Sequence, residues 1–113
     1  MAIIKSQIDT GSAEFAANDT HMRELVADLQ KQLDQVDMGG AETACAKHTK
    51  RGTMRPRERI KQLIAPGSPF LELSPMAAHD MYGGKSPSAG IITGIGRVSG
   101  QEVVIIANDA TVK

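Results

Sequence analysis

One stretch in the last third of this 113-residue chain decides its fold: Gly90-Ile91-Ile92-Thr93-Gly94-Ile95-Gly96-Arg97-Val98-Ser99-Gly100-Gln101-Glu102-Val103-Val104-Ile105-Ile106-Ala107-Asn108-Asp109. Two runs rich in β-branched residues flank the short connection Ser99-Gly100-Gln101, which is the pattern of a β-hairpin. The first arm mixes apolar residues with Gly and Thr. The second arm, Val103 to Ala107, is apolar on both faces, as in a strand covered on both sides. Because an isolated hairpin is marginally stable in water, we expect it to open a larger domain or to complete its core with other chains.

The first half of the chain is predicted to be an arm followed by a helix. Residues 1–18 show no sustained period and predict an extended arm. Asn18, Asp19 and Thr20 are all favourable N-caps, so an amphipathic helix is predicted to follow them. Gly39-Gly40 ends this helix. Its apolar stripe has spacings of three and four residues and consists of Met22, Leu25, Val26, Leu29, Leu33 and Val36.

Shorter elements connect this helix to the hairpin. Residues 41–50 are rich in Ala and predict a second, weaker helix. Pro56 is well placed as the first residue of a third helix, which Pro66-Gly67 ends. Phe70 to Leu73 is a candidate strand, and residues 83–88 predict a loop. The order of helices first and strands afterwards predicts an α+β fold with an arm at 1–18, a helical region at 19–65 and a strand region at 66–113.

The net charge is zero, but the charges are unevenly distributed. Residues 1–46 carry eight acidic and three basic side chains, whereas residues 47–61 carry seven basic side chains and Glu58 alone as an acid. Such a basic cluster, which includes His48, can bind phosphate, or it can be a solvated face that pairs with the acidic first helix; charge runs in general favour the second interpretation. Nucleic-acid binding is disfavoured because the cluster has no aromatic residue for base stacking.

Cysteine content and hydropathy restrict the class of protein. Cys45 is the only cysteine, so the chain has no internal disulfide framework and no cysteine-based zinc site, which fits a reducing compartment. No apolar run approaches the roughly 20 residues of a membrane span. The sequence shows no signal-peptide core and no Arg-rich transit peptide, so we expect a cytoplasmic protein.

Residue patterns alone give no catalytic set. Gly94 and Gly96 lie within a strand pattern followed by another strand, so they are not a dinucleotide fingerprint and instead indicate close backbone approach or a bend. The three histidines are dispersed and show no metal-ligand spacing. Cys45, with no neighbouring base to activate it, is predicted to be a packed thiol. Asp109 follows an apolar strand, where it either serves function or caps the next turn.

Four longer runs carry a family resemblance. They are His48-Thr49-Lys50-Arg51-Gly52-Thr53-Met54-Arg55-Pro56-Arg57-Glu58-Arg59-Ile60, Pro66-Gly67-Ser68-Pro69-Phe70-Leu71-Glu72, Met81-Tyr82-Gly83-Gly84-Lys85-Ser86-Pro87-Ser88-Ala89-Gly90 with the hairpin arm that follows to Gly100, and Ala107-Asn108-Asp109-Ala110-Thr111-Val112-Lys113. With the acidic helix before them, they resemble the carboxyltransferase (beta) subunits of biotin-dependent acyl-CoA carboxylases. The resemblance covers nearly the whole chain, its motifs are long and gapless, and it is greatest to the methylcrotonoyl-CoA and geranyl-CoA carboxylase branch.

The resemblance implies a fold, a reaction and partners. The fold is that of a crotonase-like carboxyltransferase domain built of ββα units, of which this chain is the helical region and the first hairpin, apparently truncated. The reaction is transfer of CO2 from carboxybiotin to a branched enoyl-CoA such as 3-methylcrotonoyl-CoA, a ligase-class step of leucine degradation. The implied partners are an alpha subunit with biotin carboxylase and biotin carrier domains, further beta subunits in an oligomeric core, and acyl-CoA. No metal, nucleic acid or membrane is implied for this chain.

The resemblance also implies substrate-contact residues. The segment after the first hairpin lies against CoA in this superfamily, which points to Asn108, Asp109, Ala110, Thr111 and Lys113. Arg57 and Arg59 are secondary candidates for phosphate or for subunit contacts; the alternative for both is helix-to-sheet salt bridging with Glu58, Glu72 or the acidic helix. No catalytic residue is expected in this chain, which should be inactive alone. The rival hypothesis is a small non-enzymatic interaction module that binds a partner through its basic cluster and amphipathic helix.

Overall fold

The computed structural model describes residues 3–112. Three helices precede a small antiparallel sheet, as the predicted α+β fold requires. The chain divides into two compact units, Met1–Gln32 and Leu33–Lys113, with the division inside the first helix. The helices are α1 (Ala13–Asp37), α2 (Glu42–Lys50) and α3 (Pro56–Leu63), and the strands are β1 (Leu71–Leu73), β2 (Ile91–Val98) and β3 (Gln101–Asn108).

Helix α1 begins at Ala13, before the predicted cap residues. Ser12 acts as the N-cap, because its Oγ accepts a hydrogen bond from the Phe15 N–H at 3.1 Å. All three residues predicted to cap the helix lie inside it instead. Of these, Asp19 pairs with Arg23 at 2.7 Å, and the Thr20 hydroxyl donates to the Ala16 carbonyl at 3.0 Å. The predicted start of the helix, and with it the extended form of residues 13–18, was therefore wrong.

The apolar stripe of α1 is divided between the two units. In the first unit, Met22, Leu25 and Leu29 are each more than half exposed. In the second unit, Val36 is buried, and the helix ends at the next residue, Asp37. Gly39 follows with a φ of +79°, a conformation that favours glycine and turns the chain sharply toward α2.

The predicted hairpin is present. Strands β2 and β3 pair antiparallel with Val98 opposite Gln101, which leaves Ser99 and Gly100 as a two-residue turn. Both turn residues have positive φ, at 50° and 82°, as a type I′ turn requires. Strand β1 pairs antiparallel with the other edge of β2, with Leu71 opposite Ile95.

Helix α3 covers one face of this sheet. Ile60 of the helix packs with Ile92 and Ile105 of the sheet to form the buried core, and Ile64 and Phe70 pack around them. The strand glycines permit this approach, because a Cβ at Gly94 would overlap the Phe70 ring and one at Gly96 would lie 2.8 Å from an Ile64 methyl carbon. The prediction that these glycines mark close approach is confirmed.

The opposite face of the sheet is exposed in the described part of the chain. Val104 and Ile106 of β3 are 66% and 67% exposed, although the sequence predicted a strand covered on both sides. The reason is that the described chain supplies only one covering layer, the side that carries α3. The exposed apolar residues of this face are Leu71, Leu73, Ile91, Ile95, Val104 and Ile106.

Candidate functional site

The segment after β3 folds into a tight turn held by Asp109. The Asp109 N–H donates to the Gly90 carbonyl at 2.8 Å, which fixes the turn to the start of β2. Asp109 Oδ1 accepts hydrogen bonds from the Thr111 N–H at 2.9 Å and from the Thr111 hydroxyl at 2.6 Å. Asp109 therefore caps the next turn, which is the second of its two predicted roles.

Thr111 joins this turn to the corner between α1 and α2. Its Oγ1 accepts a hydrogen bond from the Gly40 N–H at 3.0 Å, and its side chain is buried. A Cβ at Gly40 would overlap the Thr111 carbonyl, so only glycine allows the two backbones to come this close. The Cys45 thiol lies 3.3 Å from the Gly40 carbonyl oxygen and is thus packed against the same corner.

A cavity of about 880 Å³ lies beside this contact. We call the lining residues from Gly39 to Ala44 its first wall and those from Tyr82 to Pro87 its second wall; Thr111 also lines it. The volume is in the range of small-molecule sites. The first wall includes the first turn of α2, whose backbone N–H groups favour anions, and the second wall carries an ammonium group, Lys85, and an aromatic ring, Tyr82.

The second wall belongs to a segment with unusual backbone conformation. Non-glycine residues in the left-handed region are uncommon, and each costs about 1–2 kcal/mol. Such conformations persist where surrounding contacts fix them, and they often mark functional segments. Between β1 and β2 six non-glycine residues have φ between 50° and 58°: Ser74, Ala78, Asp80, Tyr82, Ser88 and Ala89.

Arg57 connects this segment to the rest of the second unit. Its Nη1 and Nη2 donate to the Glu72 carboxylate at 2.6 and 2.8 Å, and Nη2 also donates to Ser88 Oγ at 3.3 Å. Its Nε lies 3.3 Å from Asp37 Oδ1. Burial works to lower the pKa of Arg57, but hydrogen bonding to Glu72 and the charges of Glu72, Asp37 and Asp109 outweigh it, so the pKa is raised.

The structure brings together only some of the predicted substrate-contact residues. Asp109, Thr111 and Arg57 line a second, small cavity at the end of α1. Arg57 forms the salt bridges that were the alternative to a phosphate contact, one with Glu72 of β1 and one with Asp37 of α1. Arg59 is exposed on α3. Asn108, the last residue of β3, and Ala110 in the turn after it are exposed, and Lys113 lies outside the described residues. A CoA contact at any of these positions stays a prediction.

Reasoning from the sequence missed the two walls of the larger cavity. Gly39-Gly40 was interpreted only as a helix end, and Lys85 was placed in the predicted loop at 83–88. Tyr82 was named only within the run that carries the family resemblance. Tyr82 is the sole tyrosine in a chain without tryptophan, and an aromatic residue beside glycines in a polar loop is a signal that could have identified the second wall.

The described residues provide neither a metal-binding cluster nor a membrane-spanning helix. Among residues 3–112, no three His, Cys, Asp or Glu side chains are grouped so as to hold a metal ion. Within the same range, no helix has both the length and the apolar composition that crossing a bilayer requires.

Comparison with known proteins places the chain in a family. The model of the carboxyl transferase domain matches residues 47–113. A biotin-dependent 3-methylcrotonyl-coenzyme A carboxylase beta1 subunit of Mycobacterium tuberculosis is 60% identical over 95 residues, which are 84% of this chain and 18% of the relative. A probable mitochondrial methylcrotonoyl-CoA carboxylase beta chain of Drosophila melanogaster is 48% identical over 98% of this chain and 19% of its own length.

Solved structures agree with this assignment. The beta subunit of Pseudomonas aeruginosa geranyl-CoA carboxylase superposes with a TM-score of 0.83 at 35% identity, covering 97% of this chain and 20% of that one. A transcarboxylase 12S structure, described as a hexamer assembly with substrate bound to a multienzyme core, gives a TM-score of 0.69 at 30% identity and covers 80% of this chain. The chain thus spans about a fifth of the length of these relatives. It belongs to the carboxyl transferase domain family and resembles the beta subunits of methylcrotonoyl-CoA and geranyl-CoA carboxylases.

Proposed function

We propose that this chain is part of the carboxyltransferase beta subunit of a biotin-dependent acyl-CoA carboxylase acting on a branched enoyl-CoA such as 3-methylcrotonoyl-CoA. The observation that carries the proposal is the 60% identity to the Mycobacterium tuberculosis beta1 subunit over 84% of this chain. In this proposal a biotin-carrying alpha subunit and further beta subunits are the partners, and the chain alone is inactive.

The larger cavity is the proposed place where this chain meets CoA. The phosphates of CoA need cations and backbone amides, which Lys85 and the first turn of α2 supply on opposite walls. The Tyr82 ring offers a face for stacking of the adenine. Of the residues predicted from the sequence, Thr111 lines this cavity directly, and Asp109 acts through the turn that places Thr111.

The described residues support binding and positioning rather than bond making. The single cysteine is packed against backbone carbonyls. The three histidines, in turn, are distributed over the chain instead of gathering at the cavity. In the proposed subunit, biotin supplies the transferable carboxyl group from a partner. The contribution of this chain is to hold the CoA portion, so that binding energy from the nonreacting end orients the acyl group.

The test is a chimera that leaves the rest of a known enzyme unchanged. The aligned 95 residues of the Mycobacterium tuberculosis beta1 subunit are replaced by those of this chain, and the assembled carboxylase is assayed with 3-methylcrotonoyl-CoA. We expect carboxylation within about tenfold of the parent enzyme, a loss of no more than 1.4 kcal/mol. A chimera that assembles with its alpha subunit but is inactive would contradict the proposal.

A specific observation keeps the interaction module as a second candidate. The apolar stripe of α1 is exposed at Met22, Leu25, Val26 and Leu29, and such a stripe can dock a partner. Reading the coding frame past Lys113 separates the two candidates: continuation into further ββα units supports the enzyme, and a stop codon supports the module. Titration of the isolated chain with CoA should give no measurable heat, because one part of a site does not offset the entropy of association.

A further inference from the structure

We propose that Arg57 is a positioning residue that sets the separation of the two walls of the larger cavity. The proposal rests on the proposed function only in naming CoA as the molecule that the cavity receives. Arg57 lines the small cavity at the end of α1 and is absent from the lining of the larger one. Its influence on a ligand there is therefore exerted through the segments that it holds.

Arg57 connects residues next to both walls with the sheet. Glu72 of β1 provides the fixed point, because its carboxylate accepts from both terminal nitrogens of the guanidinium group and β1 is paired with β2. Asp37, paired with Arg57 Nε, is the last residue of α1 and lies two residues before Gly39 of the first wall. Ser88, which accepts from Arg57 Nη2, directly follows Pro87 of the second wall.

The second wall needs such a restraint. Ser88 and Ala89 are left-handed, with φ values of 50° and 52°, and Ser88 is only 4% exposed. The Ser88 hydroxyl donates to the Pro75 carbonyl at 3.1 Å, so Arg57, Ser88 and Pro75 form a chain of hydrogen bonds across the base of the loop. Without the link to Arg57, the left-handed residues would lose a contact that offsets their conformational cost.

Only arginine can make all three contacts. The planar guanidinium group presents five donors in a fixed fork, which here reach acceptors on α1, β1 and the loop before β2. A lysine at position 57 would keep the charge but would offer a single nitrogen, which cannot bridge Glu72 bidentately and also reach Ser88 and Asp37. The Arg57→Lys variant therefore releases the walls while conserving the electrostatics.

Trypsin reports the opening of the second wall. Lys85 is the only lysine or arginine between Lys61 and Arg97, and the bond to Ser86, which is 9% exposed, can be cleaved only when the loop opens. Arg57→Lys and Ser88→Ala should each raise the native-state cleavage rate at Lys85 by about tenfold, the factor that corresponds to one hydrogen bond.

Ser99→Ala is the matched control for Ser88→Ala, because Ser99 has the same φ of 50° but lies in the distant hairpin turn. Arg51→Lys, at an exposed position, controls for the change from arginine to lysine.

The separation of the walls can be measured with two native groups. Tyr82 is the only tyrosine of a chain without tryptophan, and Cys45, next to Ala44 of the first wall, is the only cysteine. Energy transfer from Tyr82 to an acceptor attached to Cys45 should decrease in Arg57→Lys and Ser88→Ala and stay unchanged in both controls. A role limited to global stability would instead lower the urea midpoint and raise cleavage at lysines and arginines throughout the chain together, with transfer in the folded chain unaltered.

The outcomes separate this inference from the proposed function. Unchanged cleavage and transfer in a folded Arg57→Lys chain would overturn the positioning role whatever the chimera does. If Arg57→Lys does not fold, Ser88→Ala decides alone, because it leaves the pair with Glu72 intact. Neither readout uses CoA, so an inactive chimera together with faster cleavage would refute the carboxylase and leave Arg57 as the residue that sets the cavity.

Discussion

At the scale of single residues, Thr111 determines how the end of the sheet meets the helices. Its hydroxyl oxygen accepts from the Gly40 N–H and its hydroxyl proton is donated to Asp109; Thr111 itself is 5% exposed, and both contacts are partly buried. A buried N–H that loses its acceptor costs about 1–3 kcal/mol, more than the average net value of a hydrogen bond. The contact is therefore more important to the corner between α1 and α2 than its single hydrogen bond suggests.

Thr111→Val tests this contact with almost no change of shape. We expect the free energy of unfolding to decrease by about 2 kcal/mol, because the Gly40 N–H and Asp109 Oδ1 each lose a partner. Urea denaturation followed by circular dichroism measures the change. Thr43→Val, the same substitution at an exposed position on the first wall, should change it by less than about 0.5 kcal/mol. Equal decreases in the free energy of unfolding of the two variants would show that the Thr111 hydroxyl contributes no more than an exposed hydroxyl.

Gly94 tests close approach in the sheet. A Cβ there would overlap the Phe70 ring and lie 2.7 Å from the Leu71 carbonyl oxygen, which belongs to the paired strand and cannot move freely. Gly94→Ala should therefore destabilise the chain by about 1–3 kcal/mol, in the range of overpacked cores. Gly11→Ala is the control, because its nearest neighbour is an Asp9 side-chain oxygen at 3.4 Å. Thermal unfolding that is unchanged by Gly94→Ala would mean that β1 can shift away from β2.

At the scale of elements, local chemistry predicts some features and leaves others undetermined. The hairpin follows from Ser99-Gly100 between β-branched runs, since only a few turn types fit two such strands. The start of α1 does not follow from local chemistry. Four residues are acceptable N-caps, namely Ser12, Asn18, Asp19 and Thr20, and only the folded chain shows that Ser12 is used. Likewise Arg57 lies in a run of basic residues of similar type, and nothing local distinguishes it from Arg55 or Arg59.

The pair between Arg57 and Glu72 joins α3 to β1 and differs from the other ion pairs. Its side chains are 15% and 19% exposed, whereas those of the cross-strand pair Arg97–Glu102 are 57% and 76% exposed. Glu72→Gln should cost about 2 kcal/mol, because a largely buried guanidinium group loses its main partner. Glu102→Gln, the same change in the exposed pair, should cost less than about 1 kcal/mol. Equal shifts of the urea midpoint in the two variants would contradict the expectation that the more buried pair contributes more to stability.

The raised pKa of Arg57 fixes the pH range of this contribution. A basic group whose pKa is raised on folding adds stability that is complete below its unfolded pKa and is lost as the pH rises through the folded value. For Arg57 that loss lies in strongly alkaline solution. The difference in stability between the parent chain and Glu72→Gln should thus stay constant between about pH 6 and pH 9. A difference that declines across this range, measured by urea titration at each pH, would mean that another group controls the pair.

At the scale of the whole molecule, the sheet has one covered face and one uncovered face. The larger cavity could not be predicted from the sequence, because its walls are about forty residues apart and only the folded Gly40–Thr111 contact places them together. The apolar character of the uncovered face was, in contrast, visible in the sequence, because β3 is apolar on both sides. The chain spans about a fifth of the geranyl-CoA carboxylase beta subunit, and in the proposed subunit we expect the remaining polypeptide to supply the second cover.

The uncovered face gives the last prediction. Val104 and Ile106 stand side by side on β3, and contiguous exposed apolar surface of this kind promotes association. The double variant Val104→Thr, Ile106→Thr keeps the β-branched shape that strands favour but makes the face polar. It should reduce self-association of the isolated chain, measured by sedimentation velocity, and change the free energy of unfolding by less than about 1 kcal/mol, since neither residue is buried. Ile105→Thr, one residue away on the covered face, should instead destabilise the chain by at least 2 kcal/mol or so, because it places a hydroxyl in the core.

In the chimeric beta subunit the double variant should be harmful instead of harmless. There we expect Val104 and Ile106 to contact the rest of the domain, so that a polar face impairs assembly. A double variant that is neutral in the chimera as well would show that this face stays exposed in the complete protein.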